Sequence, residues 1–201
     1  MKNQHKEGVT YMFVNARIET ERLHIRPYRI CDASALYELQ KQPEVNLYIP
    51  EPIYSLKEIE DIIYWSIDMN QRNTVNHIGK FNLSIIEKTS QKLIGYCGLG
   101  PSDFEPTSTE LYYALSRDTW GKGFATEATS ALLQYAFSTI EIETIMASVF
   151  PENKKSIHVL NRLGFEFKET VQNLEKTLQE YEGMLYFQIT KELFLQKAVL
   201  K

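Results

Sequence analysis

Trp120-Gly-Lys-Gly-Phe-Ala-Thr126 has the residue types and spacing of an anion seat. It follows a strand-like run from Glu110 to Leu115 and opens a helix-like run from Glu127 to Ile140. The first N–H groups of a helix have no intrahelical acceptor, and the helix dipole adds partial positive charge there. Gly121 and Gly123 carry no Cβ, so they accept positive φ and let a ligand approach the backbone. Lys122 adds a mobile cation. The chemistry expected is a grip on linked phosphates, the pyrophosphate of a cofactor. Two glycines also close ordinary turns, so the pattern alone leaves that reading open. The stretch lacks the Gly-Lys-Ser/Thr ending of a P-loop. It also lacks the Gly-x-Gly-x-x-Gly of a dinucleotide fingerprint.

The elements that must hold this turn are legible on either side of it. Arg22 to Arg29 alternates, with Leu23 and Ile25 facing one way and His24 expected toward solvent. Asp32 is placed as an N-cap for Ala33 to Gln40, with Leu36 and Leu39 inward. Ser55 and Glu58 form a capping box before Ile59, Ile62, Ile63 and Trp65, an amphipathic helix. Gly79 to Glu87 and Lys92 to Leu99 read as an antiparallel pair, broken by Gly100-Pro101. Beyond the turn, Ala128, Leu132, Ala136 and Phe137 mark a core stripe. Thr144 to Phe150 has the apolar character of a strand buried on both faces. A helix between two such strands implies a right-handed crossover and a parallel pair. Asn153 caps Lys154 to Leu163, and Gly164 closes it. Phe165 to Thr170 and Met184 to Thr190 are further strands, with a polar surface loop from Glu175 to Glu182. A short helix follows the last strand.

Composition narrows the class. The 201 residues suit one domain, and 43% hydrophobic content suffices for a core. Residues 1–14 are expected to be a loose tail and 15–201 a single domain. A net charge of −4 without a basic run argues against nucleic acid. No apolar run approaches the ~18 residues of a membrane span. Two cysteines, Cys31 and Cys97, make no disulfide framework, so a cytoplasmic setting is expected. His5, His24, His77 and His158 lack ligand spacing, and no metal site is expected.

The run ELYYALSRDTWGKGFATEA, followed by SVFPENKKSIHVLNRLGFEF, resembles the GCN5-related N-acetyltransferases (GNAT). With the opening IETERLHIRPYRICDASALYEL it looks closest to the RimJ/RimL branch, which acetylates ribosomal-protein N-termini. The resemblance covers roughly residues 17 to 192. It implies an α/β fold: a mixed, mostly antiparallel sheet of six to seven strands with a splayed parallel pair and helices on both faces. It implies acetyl-CoA as co-substrate, with the pyrophosphate on the backbone of Gly121, Lys122, Gly123, Phe124, Ala125 and Thr126. Trp120 stands where the wider family has Gln or Arg, as is common in this branch. Tyr113, Ala114 and Leu115 would offer backbone groups to the pantetheine arm, and Asn153 would contact the cofactor near the thioester.

Acetyl transfer to an amine needs a neutral amine, a donor for the oxyanion and an acid for the leaving thiolate. By the resemblance, Glu110 is the base, acting through water, and an N–H near Leu115 serves the oxyanion. The family's usual Tyr acid is replaced by Leu160, so Ser156 is named as the acid, with Tyr112 and Tyr113 behind it. The acceptor is expected to be a protein N-terminal α-amine. A small amine such as an antibiotic or polyamine is the alternative, and a noncatalytic acetyl-CoA-binding module a third reading. Residues 43–65 and 175–186 would line the acceptor side. The protein is expected as a monomer or homodimer.

Overall fold

The computed structural model describes residues 11–49 and 52–199. An eight-stranded sheet runs in the order β1-β2-β3-β4-β5-β6-β8-β7. Its strands are β1 (Ile18–Glu19), β2 (Leu23–Pro27), β3 (Phe81–Glu87), β4 (Leu93–Pro101), β5 (Thr109–Leu115), β6 (Thr144–Val149), β7 (Glu166–Thr170) and β8 (Leu185–Thr190). The two-residue edge strand β1 raises the count above the six or seven expected. All neighbours are antiparallel except β5 and β6.

The parallel pair holds the fold's key irregularity. β4 and β5 share a ladder from Gly95↔Leu115 to Pro101↔Thr109, whereas β5 and β6 register only at Glu110↔Met146. Beyond that point the two strands diverge and open a cleft. The strand predicted to break at Gly100-Pro101 continues through it. Pro101 lies past the end of the β3 ladder, which stops at Phe81↔Leu99, so its missing N–H costs no bond there.

Helices α1 (Ala33–Gln40), α2 (Leu56–Arg72), α3 (Phe124–Tyr135), α4 (Lys154–Leu163) and α5 (Lys191–Val199) cover the two faces. Leu132, Leu133, Phe81, Leu83 and Ile85 belong to the main core under α3. On the other face Tyr28, Leu36, Ile59 and Ile63 form a second cluster. The alternation of β3 explains the split: Phe81, Leu83 and Ile85 face the main core, while Asn82 and Ser84 bond Ser66 and Asp32.

Four local expectations change. Residues 11–14 are a helical turn, not tail: Phe13 is fully buried, edge-on to Phe81 at 5.2 Å. Residues 1–10 lie outside the described residues. Asp32 does not cap α1; Arg26 grips its carboxylate at 2.8 and 2.9 Å, and the Arg29 N–H donates to it at 2.8 Å. Burial alone would push that carboxyl up, but bonds from Arg26, Arg29 and Ser84 hold it below the usual range. The capping box of α2 forms as predicted, with the Ser55 N–H donating to Glu58 at 2.7 Å, yet Trp65 points outward at 45% exposure. The helix after the Gly121–Gly123 turn is α-helical only to Tyr135, and Ala136–Ile140 winds as a π-helix.

Candidate active site

The N-terminus of α3 and the gap between β5 and β6 open into one cleft of about 1490 Å³. Gly121 and Gly123 have φ of +77° and +83°, which explains why glycine stands there. A Cβ on Gly121 would meet nothing within 4 Å, so the space in front of the turn is open. Gly123 is the N-cap of α3 and brings no side chain to its amides. The amides of Phe124, Ala125 and Thr126 are therefore presented to the cleft. A curved, open, amide-lined turn of this kind fits a pyrophosphate.

Of the residues expected at the phosphates, Gly121, Gly123, Phe124, Ala125 and Thr126 line the cleft. Lys122 does not; its backbone carbonyl accepts from Arg22 Nη1 at 3.0 Å. Phe124 is buried in the core, so only its backbone faces a ligand. Tyr113, Ala114 and Leu115 also line the cleft, but the Leu115 carbonyl is already engaged by the Trp120 indole N–H at 2.8 Å.

Arg22 was not foreseen from sequence. Its Nε donates to Glu127 Oε2 at 2.6 Å, and its guanidinium stacks over Phe124 at 4.4 Å. Thr20 Oγ1 donates to the other Glu127 oxygen at 2.6 Å. Burial would raise the Glu127 carboxyl, but these donors hold it below its usual range. Entry strand and phosphate turn are thereby tied. Arg22→Ala is expected to weaken CoA binding roughly fivefold by loosening the turn, a change of about 1 kcal/mol. Isothermal titration checks this, and an unchanged Kd would show that the turn holds itself.

Glu110 sits at the register pair where the strands part. The Ser148 N–H of β6 donates to its Oε1 at 3.2 Å, and the Ser148 hydroxyl bonds the same oxygen. Among the described residues Oε2 has no protein donor. Burial pushes the Glu110 carboxyl above its ordinary range, against the Ser148 bonds and Lys80; Asp103 pushes the same way as burial. Ser148, a polar residue within the mostly apolar strand β6, carried the sequence signal for this contact.

Asn153 caps α4 as predicted, its Oδ1 accepting the Ser156 N–H at 3.1 Å. Ser156 faces β5: the Tyr113 hydroxyl donates to its Oγ at 3.1 Å. Burial raises the Tyr113 hydroxyl to about 12 despite that bond, so it stays protonated. Tyr112 points to the opposite face, where its hydroxyl donates to Asn82 Oδ1 at 2.7 Å. The alternation of β5 thus brings Tyr113, not Tyr112, to Ser156. Glu110, Ser156, Asn153 and the phosphate turn all border one cleft. Among the described residues, no His, Cys, Asp or Glu cluster is placed to hold a metal ion. No helix among them is long and apolar enough to cross a membrane.

An open, amide-lined helix start beside a splayed parallel pair, with a half-buried carboxylate where the strands part, fits an acyltransferase. The chain belongs to the GNAT acetyltransferases: residues 22–166 match the Acetyltransferase (GNAT) domain. It is 34% identical over 173 residues to the uncharacterized N-acetyltransferase p20 of Bacillus licheniformis, covering 86% of this chain and 94% of that one. Over 157 residues it is 28% identical to the ribosomal protein uS5 alanine N-acetyltransferase of Escherichia coli, covering 75% and 78% respectively. A crystal structure of spermidine N-acetyltransferase from Vibrio cholerae, in complex with CoA and spermine, shares the fold. Its TM-score is 0.70 at 21% identity, covering 88% of this chain and 99% of that one.

Proposed function

We propose that this N-acetyltransferase moves an acetyl group from acetyl-CoA to a protein N-terminal α-amine, by direct attack with both substrates bound. The observation that carries the transfer is the single cleft joining the phosphate turn to Glu110 and on to the acceptor side. Bound acetyl-CoA supplies an activated carbonyl and a thiolate leaving group. The amides of residues 121–126 fix the phosphates, and the cleft holds thioester and amine close together. Glu110 Oε2 takes the amine proton through a water, with Ser148 steadying Oε1. A β5 N–H near Leu115 donates to the oxyanion. The Ser156 hydroxyl, which accepts from Tyr113, is free to donate its own hydrogen toward the departing sulfur.

Support for a protein N-terminus comes from the relative that acts on ribosomal-protein alanine and from the breadth of the cleft. One observation favours a small cationic amine instead. Glu44, Asp103 and Glu110 share the acceptor side with Tyr48, Tyr54 and Trp65, a lining that suits a polyamine. A screen measuring free CoA release separates the two, set against peptides with free N-terminal Ala or Ser and against spermidine, spermine and aminoglycosides. Turnover with peptides is expected. Turnover confined to polyamines would transfer the acceptor assignment, and none with any amine would leave a binding module.

A further inference from the structure

We infer that Trp120 is a platform that holds Arg117 and Lys155 at the mouth of the phosphate turn, so that side chains outside the turn help bind the cofactor's phosphates. The inference rests on the acetyl-CoA reading above. The Arg117 guanidinium lies 5.1 Å from the Trp120 ring centroid, and the Lys155 ammonium lies 4.2 Å from the same centroid. These charges come from opposite sides of the cleft: Arg117 from the turn after β5, Lys155 from the first turn of α4.

The ring is itself fixed. Its N–H donates to the Leu115 carbonyl at 2.8 Å, and its body packs against the main core. The Arg117 segment is held too, since Gln42 Oε1 accepts its backbone N–H at 2.8 Å. Among the described residues neither cation forms an ion pair, and Glu152, on the same cleft, pairs with neither. Attraction to an aromatic face offsets part of the repulsion between two like charges. An anion in front of them offsets the rest. All three residues line the cleft beside Gly121 and Gly123. The turn's amides provide direction for the phosphates, while Arg117 and Lys155 provide the net charge that amides lack. Neither cation touches the reacting atoms; their role is binding.

The test is CoA binding by isothermal titration at low and high salt. Lys155→Gln and Arg117→Gln are each expected to raise the Kd roughly fivefold at low salt. The double variant is expected to lose more and to show a flatter salt dependence than the parent. Trp120→Leu, which removes the aromatic face but keeps both charges, should also weaken binding, less than the double variant and with a steeper salt dependence than it, and Trp120→Phe should weaken it less. Lys168→Gln, on β7 beside Glu166, serves as the charge control and should bind as the parent does. Parental affinity and salt slope in the double variant would overturn the platform, as would parental affinity in Trp120→Leu. Should the leucine variant not fold, the two exposed glutamine substitutions still decide. A parent chain that fails to bind CoA would sink this inference together with the acetyl-CoA reading, whereas equal binding by parent and variants would sink the platform alone.

Discussion

Glu110→Gln is expected to lower kcat by two to four orders of magnitude, roughly the range a positioned general base supplies, with CoA affinity nearly unchanged. The amide keeps the shape and can still meet Ser148, but it cannot take the amine's proton. The site of the substitution makes the outcome specific, because Glu110 lies at the parting of β5 and β6 and away from the phosphate turn. The pH dependence gives a second readout. Burial raises the folded-state value above 4.5, so the acid limb of kcat is expected above that value and should vanish in the variant. Stability should move the other way. A carboxyl whose folded value is raised favours folding when protonated, and that contribution is lost as pH rises through the folded value. At neutral pH the carboxylate is therefore a cost, and Glu110→Gln should melt at an equal or higher temperature than the parent. That advantage should shrink as the pH falls through the raised folded value toward the ordinary carboxylate range, and be gone below it. Normal turnover in a folded variant would move the base elsewhere.

Gly123→Glu is expected to abolish CoA binding, by about two orders of magnitude or more, since it places bulk and negative charge at the phosphates. Space does not forbid the change, because a Cβ at this position meets only Arg22 Nη2, at 3.5 Å. The φ of +83° does impose strain, about 1–2 kcal/mol for a residue with a Cβ. A carboxylate at a helix start suits the dipole, so the charge itself should not unfold α3. Gly123→Ala separates the causes: it carries the same strain without charge and should keep part of the affinity. Titration with CoA, alongside circular dichroism to follow the fold, reads both variants. Retained affinity in the glutamate variant would take the phosphate seat away from this turn.

Some of this site was open to a reader of the sequence because its physics is local. A turn that needs two positive-φ residues and a helix start must write both into consecutive positions, and Gly121, Gly123 and the apolar stripe of α3 do so. The Asn153 cap and the Ser55–Glu58 box are equally local, each spanning one turn. Periodicity likewise placed most strands within a residue or two. It failed where burial depends on a distant partner. Trp65 sits at an apolar spacing on α2 but meets solvent, and Phe13 has no neighbouring pattern but is covered by Phe81 and the sheet. Asp32 has the residue type of a cap, yet its oxygens are taken by a bidentate arginine, by the backbone N–H of Arg29 and by Ser84, none of them in the helix it precedes.

Sequence by itself determined the glycine turn at residues 121–123, the helix start behind it and the bounds of most strands and helices. The tertiary structure alone decided which residues meet. Ser148 reaches Glu110 across 38 residues, Tyr113 reaches Ser156 across 43, and Arg22 reaches Lys122 across 100. The first two of these contacts lie where β5 and β6 pair at a single point and then separate. Contacts of this kind join elements far apart in the chain, and they have no period in the sequence that a reader could count.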